Sequence, residues 1–191
     1  MIIGITGGTG CGKTTLLNVI AEQGGLVFDC DRIYHQLLQT DTELLEAIVR
    51  RFPGTVEDGQ LQRKKLGAIV FADKAALKEL NRITHGAVKR AVVQQLPPAA
   101  KLVAIDAIGL FEGELAPLCD VTVAVTAPEE QRIARLVARD NISEAYARQR
   151  ICAQRPQAEF QQLCDYTLYN DSTPEAFREK CLAFLSDLGI I

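Results

Sequence analysis

The amino-acid sequence predicts an α/β fold in three layers, with one five-stranded parallel sheet covered by helices on both faces. Three observations predict it. Short apolar, β-branched runs alternate with helical patterns along the chain. Those runs lack polar alternation, as expected of parallel strands buried on both faces. The chain has 191 residues, 48% of them hydrophobic and 24% charged, which suits one well-buried core with an insert.

The elements follow in order. Residues 2–6 (IIGIT) read as a buried strand. Residues 13–23 read as a helix that stops at Gly24-Gly25. Residues 26–28 (LVF) form a second short strand. In TDTELLEAIVRRFPG, Thr40 precedes Glu43 by three positions, the spacing of a capping box, and the helix ends at Pro53-Gly54. EDGQ at 57–60 reads as a turn. From about 61 to 95 the pattern is helical and basic, without a strand signal. KLVAID (101–106) and DVTVAVT (120–126) are the third and fourth strands. APEEQRIARLVARD is a helix with Pro128 in its first turn. SEAYARQRICAQR is a second helix, closed by Pro156. DYTLYN (165–170) is a fifth strand, and STPEAFREKCLAFLSDLG a capped C-terminal helix.

Composition excludes several function classes. Lys and Arg number 21 against 24 Asp and Glu, a formal charge of −3. That balance gives no support to nucleic-acid or anionic-membrane binding. The apolar runs are too short to span a membrane. The N-terminus lacks the basic flank of a signal peptide. Six cysteines show no CxxC pair and read as reduced thiols of a cytoplasmic protein. Two histidines, 35 and 85, make a His-based zinc site improbable. The expected state is a monomer or weak homo-oligomer.

The segment Gly7-Gly8-Thr9-Gly10-Cys11-Gly12-Lys13-Thr14 fits GxxxxGK[ST], a phosphate-binding loop, and lies between a strand and a helix as that motif requires. Gly8, Gly10, Cys11 and Gly12 supply backbone N–H groups that can close around an anion. The helix N-terminus adds donors and the positive dipole end. Lys13 can reach the β- and γ-phosphates, and the Thr14 hydroxyl can ligate Mg²⁺, with Thr15 beside it. Cys11 reads as a small residue tolerated in the loop. The helix end would also draw its thiol pKa down and make it oxidation-sensitive.

Three nucleotide-using classes compete. A GTPase would explain the DxxG at Asp106–Gly109, but NKxD is missing. An ATPase motor has no supporting feature. A small-molecule kinase has two. The first is VFDCDRIYH, which puts Asp29 and Asp31 at a strand end, where a carboxylate can orient an acceptor hydroxyl and take its proton. Either aspartate alone could instead cap the next helix. The second is the arginine-rich stretch with Arg132, Arg135, Arg139, Arg148 and Arg150. Arg132, Arg135 and Arg139 share one helical face. That face is either solvated or part of a phosphate-clamping lid at about 137–155, with Arg135 and Arg139 as the clamps.

These segments, in this order, resemble the dephospho-coenzyme A kinase family along nearly the whole chain: GGTGCGKTT, DCDRIYHQLL, QRKKLGAIVF, LNRITH, LFE, QRIARLVARD, RICAQ and YTLYND. The resemblance implies the P-loop kinase fold and transfer of the ATP γ-phosphate to the ribose 3′-hydroxyl of dephospho-CoA, the last step of coenzyme A synthesis. It implies Asp31 as catalytic base beside Asp29, Arg139 as lid arginine, and Asn170 near the adenine of ATP. The helical region at 61–95 becomes the cover of the CoA side, with Arg63 and His85 as contacts. The family's HP is here His85-Gly86, and its PLLFE is Ile108-Gly109-Leu110-Phe111-Glu112. Asp106 or Glu112 could orient Mg²⁺ or water, and the sequence leaves both open. A nucleoside or nucleotide kinase of the same architecture, or a nucleotide-binding regulator, remains an alternative.

Overall fold

The computed structural model describes residues 1–57, 59–98 and 100–191. In chain order the described elements are β1 (Ile2–Thr6), α1 (Lys13–Glu22), β2 (Leu26–Asp29), α2 (Cys30–Thr40), α3 (Thr42–Arg51), β3 (Val56–Glu57), β4 (Gln60–Leu61), α4 (Arg63–Ala72), α5 (Lys74–Gln95), β5 (Val103–Asp106), β6 (Val121–Thr126), α6 (Glu129–Asp140), α7 (Glu144–Cys152), α8 (Gln157–Leu163), β7 (Tyr166–Tyr169) and α9 (Pro174–Asp187).

Among the described residues the main sheet has five strands in the order β2-β5-β1-β6-β7. The expected parallel sheet is therefore present. β1 runs parallel to both β5 and β6, and β6 runs parallel to β7. The first strand of the chain thus lies in the middle of the sheet, buried on both faces. Its side chains explain why. Ile3 and Ile5 point into a core with Leu16, Val19 and Ile20 of α1 and Phe177, Cys181, Phe184 and Leu185 of α9. Gly4 points the other way, where a Cβ would lie 2.8 Å from the Cys119 sulfur and 2.9 Å from Leu110.

The chain forms two compact units. The first comprises Met1–Phe28, Ala99–Leu110 and Ala116–Ile191 and holds the sheet with α1 and α6–α9. The second comprises Asp29–Pro98 and Phe111–Leu115. It is helical apart from the β3–β4 hairpin, and α2, α3, α4 and α5 share a core of Leu38, Leu44, Ile48, Leu66, Val70 and Ala87. The basic helical stretch expected at 61–95 holds α4 and α5, and α2 and α3 belong to the same unit.

Local chemistry sets the helix ends. Thr173 caps α9 by accepting from the Ala176 amide, with Pro174 in the first turn. Ser143 caps α7 in the same way. For α3 the expected Thr40–Glu43 capping box does not form. Asp41 is the cap, its Oδ1 accepting from the Leu44 amide at 2.9 Å, while the Thr40 hydroxyl donates back to the Gln36 carbonyl. A carboxylate one residue on competes better for the helix N-terminus than a neutral hydroxyl. The turn read at 57–60 includes Asp58, which lies outside the described residues; Glu57 and Gln60 on either side pair as an antiparallel ladder. No helix among the described residues is long and apolar enough to cross a membrane.

Candidate functional site

The phosphate loop spans residues 7–12 between β1 and α1. Gly7 and Gly12 show why glycine is required there. Gly7 has φ 139°, and a Cβ on it would sit 2.2 Å from the Val125 carbonyl oxygen. Gly12, the N-cap of α1, has φ 100°, and a Cβ on it would sit 2.2 Å from Asn170 Nδ2. Because glycine caps the helix, no side chain satisfies the first amides of α1. An uncapped N-terminus presenting backbone N–H groups and the positive dipole end is built for an anion.

Lys13 opens α1 beside this loop. Its Nζ donates to the Gly7 carbonyl at 3.0 Å and lies 3.9 Å from Asp106 Oδ1. Both side chains are mostly buried, at 14% and 16% exposure. The parallel register aligns Ile5 of β1 with Asp106 of β5, which brings that carboxylate to the loop. Of the two carboxylates the sequence left open, Asp106 thus sits with the loop, and Glu112 belongs to the second unit. Thr14 is exposed at the head of α1 and Thr15 is half-buried.

Side chains from the far end of the chain hold the loop in place. Buried Asn170, just after β7, donates from Nδ2 to the Cys11 carbonyl at 2.9 Å. Its Oδ1 accepts from Arg135 at 3.2 Å. Arg135 also donates to the Gly10 carbonyl at 3.2 Å and to Gln131 Oε1 at 3.0 Å. On the other flank, Gln154 Oε1 accepts from the Thr9 amide at 2.8 Å. Buried Arg132 donates to the Thr9 carbonyl at 2.9 Å. The sequence marked Gln154 only as the last residue of RICAQ; its contact with the loop was not legible, because its partner lies 145 residues away.

Cys11 corrects one expectation. Lys13 and Arg132 pull its thiol pKa down, but they do not set the net shift. Burial dominates and pushes it up, and the residue is 1% exposed. All six cysteines are free among the described residues.

Arg139, in the last turn of α6, faces Asp140, with Nε to Oδ1 at 2.7 Å and NH2 to Oδ2 at 3.1 Å. Arg150 of α7 donates to the same carboxylate. These hydrogen bonds hold the Asp140 carboxyl down at about 2. Arg148 lies in a solvated network with Glu129, Glu130 and Glu144.

The second unit carries the remaining candidates. Asp29 is the N-cap of α2, its Oδ1 accepting from the Arg32 amide at 3.0 Å. Asp31 lies in the first turn of that helix and is exposed. Among the described residues its carboxylate has no hydrogen bond or ion pair. Arg63 is exposed at the start of α4 and lines a cavity of about 380 Å³ with Leu38, Gln39, Gly59, Gln60 and Leu61. Its charge acts on the Tyr34 hydroxyl of α2, whose pKa burial pushes up. His85 is half-buried in α5.

A family model described as dephospho-CoA kinase matches residues 1–175. The chain belongs to the dephospho-CoA kinase family. The dephospho-CoA kinase of Carboxydothermus hydrogenoformans is 34% identical over 190 residues, covering 96% of this chain and 92% of that one. That of Anaeromyxobacter dehalogenans is 36% identical, covering 98% and 92%. Among solved structures, a Thermus thermophilus protein superposes with a TM-score of 0.81 at 32% identity, covering 98% of this chain and 97% of that one. Two more distant structures share the fold. The Campylobacter jejuni dephospho-CoA kinase has a TM-score of 0.67 at 23% identity, covering 98% and 96%. A Bacteroides thetaiotaomicron shikimate kinase has a TM-score of 0.58 at 16% identity, covering 97% and 98%. The P-loop kinase architecture expected from the sequence is therefore the fold of this dephospho-CoA kinase family member.

Proposed function

We infer that this chain transfers the γ-phosphoryl group of ATP to the ribose 3′-hydroxyl of dephospho-CoA, giving coenzyme A and ADP. The observation that carries this reading is the family match over residues 1–175, on a chain whose phosphate loop is complete. The loop amides and Lys13 bind the ATP phosphates, and Lys13 exchanges the Gly7 carbonyl for phosphate oxygens. Arg135 and Asn170 support nucleotide binding by fixing the carbonyls of Gly10 and Cys11, so that the amides of the loop face the anion.

Asp31 is the base in this reading. Asp29 already spends its carboxylate on the helix cap, which supports assigning proton transfer to its neighbour. The Asp31 carboxylate takes the 3′-hydroxyl proton, the freed oxygen attacks the γ-phosphorus in line, and the β–γ bridging oxygen departs with ADP. Asp29, Arg63 and His85 lie on the acceptor side, in the helical segment about 61–95 and its approach. Arg139, in a lid at about 137–155, exchanges Asp140 for phosphate oxygens as charge develops.

Magnesium fits the donor set. Among the described residues no three His, Cys, Asp or Glu side chains cluster as a self-contained metal cage. One hydroxyl and one carboxylate, Thr14 and Asp106, suit a cation that takes its other ligands from phosphates and water. When bound, magnesium neutralises polyphosphate charge. The partners are small molecules rather than nucleic acid or membrane, the compartment is the cytoplasm, and the protein acts as a monomer or weak homo-oligomer.

The test is Mg²⁺-dependent ADP release from ATP with dephospho-CoA, with adenosine and AMP as control acceptors, and a mass check for one added phosphate. Turnover with dephospho-CoA alone is expected. Turnover with a control acceptor instead would overturn the substrate, and ADP release without any acceptor dependence would overturn the kinase reading.

A further inference from the structure

Arg132 was legible only as one of several arginines on a helical face, a face more often solvated than not. It is the one charged residue buried among the described residues, at 3% exposure. Its guanidinium lies against the phosphate loop. A Cβ on Gly8 would sit 2.3 Å from its NH2, and a Cβ on Gly10 would sit 2.8 Å from its carbonyl oxygen. Its Nε donates to the Thr9 carbonyl at 2.9 Å, and NH2 approaches Gln154 Oε1 at 3.4 Å. That same Oε1 accepts from the Thr9 amide.

Both partners are neutral. Among the described residues no carboxylate forms an ion pair with Arg132. Glu129 is the acid whose charge reaches it, and Glu129 is engaged by Arg148 at 3.4 Å. Neutral carbonyl and amide oxygens satisfy hydrogen bonds but leave the charge uncompensated. A buried cation without a counter-charge is costly, and mutual attraction with an anion is strong where water is excluded. The loop against which it packs is an anion site.

We propose that Arg132 is a positioning residue whose buried charge is reserved for the nucleotide: the polyphosphate seated in the loop is its counter-ion, and Gln154 holds it there through Thr9. This rests on the reading of the chain as an ATP-dependent kinase. Arg132 does not touch the reacting atoms. Its charge favours the phosphate-loaded loop over the empty one, so its effect grows with the charge on the ligand.

Arg132→Gln keeps a donor for the Thr9 carbonyl and removes the charge, whereas Arg132→Lys keeps both. Binding of ATP, inorganic tripolyphosphate and adenosine is measured by calorimetry, and melting temperature without ligand is recorded. The expected result is a rise of about tenfold or more in Kd for ATP and tripolyphosphate in Arg132→Gln. Arg132→Lys restores most of it, and adenosine binding is unchanged. Gln154→Glu is the second variant. It preserves both accepting contacts but supplies a counter-charge inside the protein. It should weaken ATP and tripolyphosphate binding without lowering the ligand-free melting temperature. Wild-type ATP affinity in Arg132→Gln, or in Gln154→Glu should Arg132→Gln not fold, overturns the proposal. If the wild-type chain itself binds ATP no better than adenosine, the kinase reading fails instead.

Discussion

Asn170 separates two roles that experiment can tell apart. The family resemblance puts it near the adenine of ATP. Its contacts make it a prop of the phosphate loop, with Nδ2 on the Cys11 carbonyl and Oδ1 on Arg135. Asn170→Ala removes the donor to a carbonyl in the buried loop and one of three acceptors of Arg135. Arg135 keeps Gly10 and Gln131, so most of the cost is the Cys11 carbonyl left without its partner. A buried polar group stripped of its partner costs about 1–3 kcal/mol, and the lost acceptor adds a fraction of that. For a chain of this size each kcal/mol lowers Tm by about 2–4 °C, so a decrease of roughly 2–12 °C is expected for the ligand-free protein. The assay is thermal unfolding without nucleotide, followed by KM for ATP and GTP. A prop deforms the loop for every nucleotide, so both KM values should rise by the same factor. A Tm change below about 1 °C, together with a loss confined to ATP, would refute the reasoning and make Asn170 an adenine contact.

Other outcomes follow from the same geometry. Asp31→Asn should retain ATP binding and lose about 10²–10⁴-fold in turnover, the usual worth of a general base; unchanged kcat would remove Asp31 from the chemistry. Asp140 has a folded-state carboxyl pKa of about 2, below its ordinary 3.8, through hydrogen bonds from Arg139 and Arg150. Its contribution is therefore present above the unfolded value and is lost as pH falls from 3.8 through about 2. Asp140→Asn should flatten the acid limb of the stability curve in that window, and an acid limb identical to wild type would show that the cluster contributes nothing. Burial raises the Cys11 thiol pKa, so iodoacetamide at neutral pH should label exposed Cys152 well before Cys11. Peptide mapping that finds Cys11 labelled first would contradict the buried loop.

Much of the site was legible in the linear sequence because its parts are local. GGTGCGKT is one continuous strand–loop–helix, and the chemistry of Lys13 and Thr14 follows from their places in it. The pair Asp29 and Asp31 was also readable, but which of them caps the helix was not. That depends on the turn geometry, in which Asp29 accepts from the Arg32 amide and Asp31 is left to solvent. The same holds at α3, where Asp41 rather than Thr40 became the cap.

By itself the sequence determined the α/β class, the succession of strands and the phosphate loop. Each of these is written in spacings of a few residues, where backbone sterics and hydrophobic periodicity act directly. Only the tertiary structure decided the strand order β2-β5-β1-β6-β7, which draws Asp106 to Lys13. Only it joined Asn170 to Cys11 across 159 residues, and Gln154 to Thr9 across 145. It also turned Arg132 from one arginine in a charged helix into a buried cation. Such pairings leave no periodic trace, because burial and charge compensation are set by which surfaces meet. That is a property of the packed sheet and its helices rather than of any one segment.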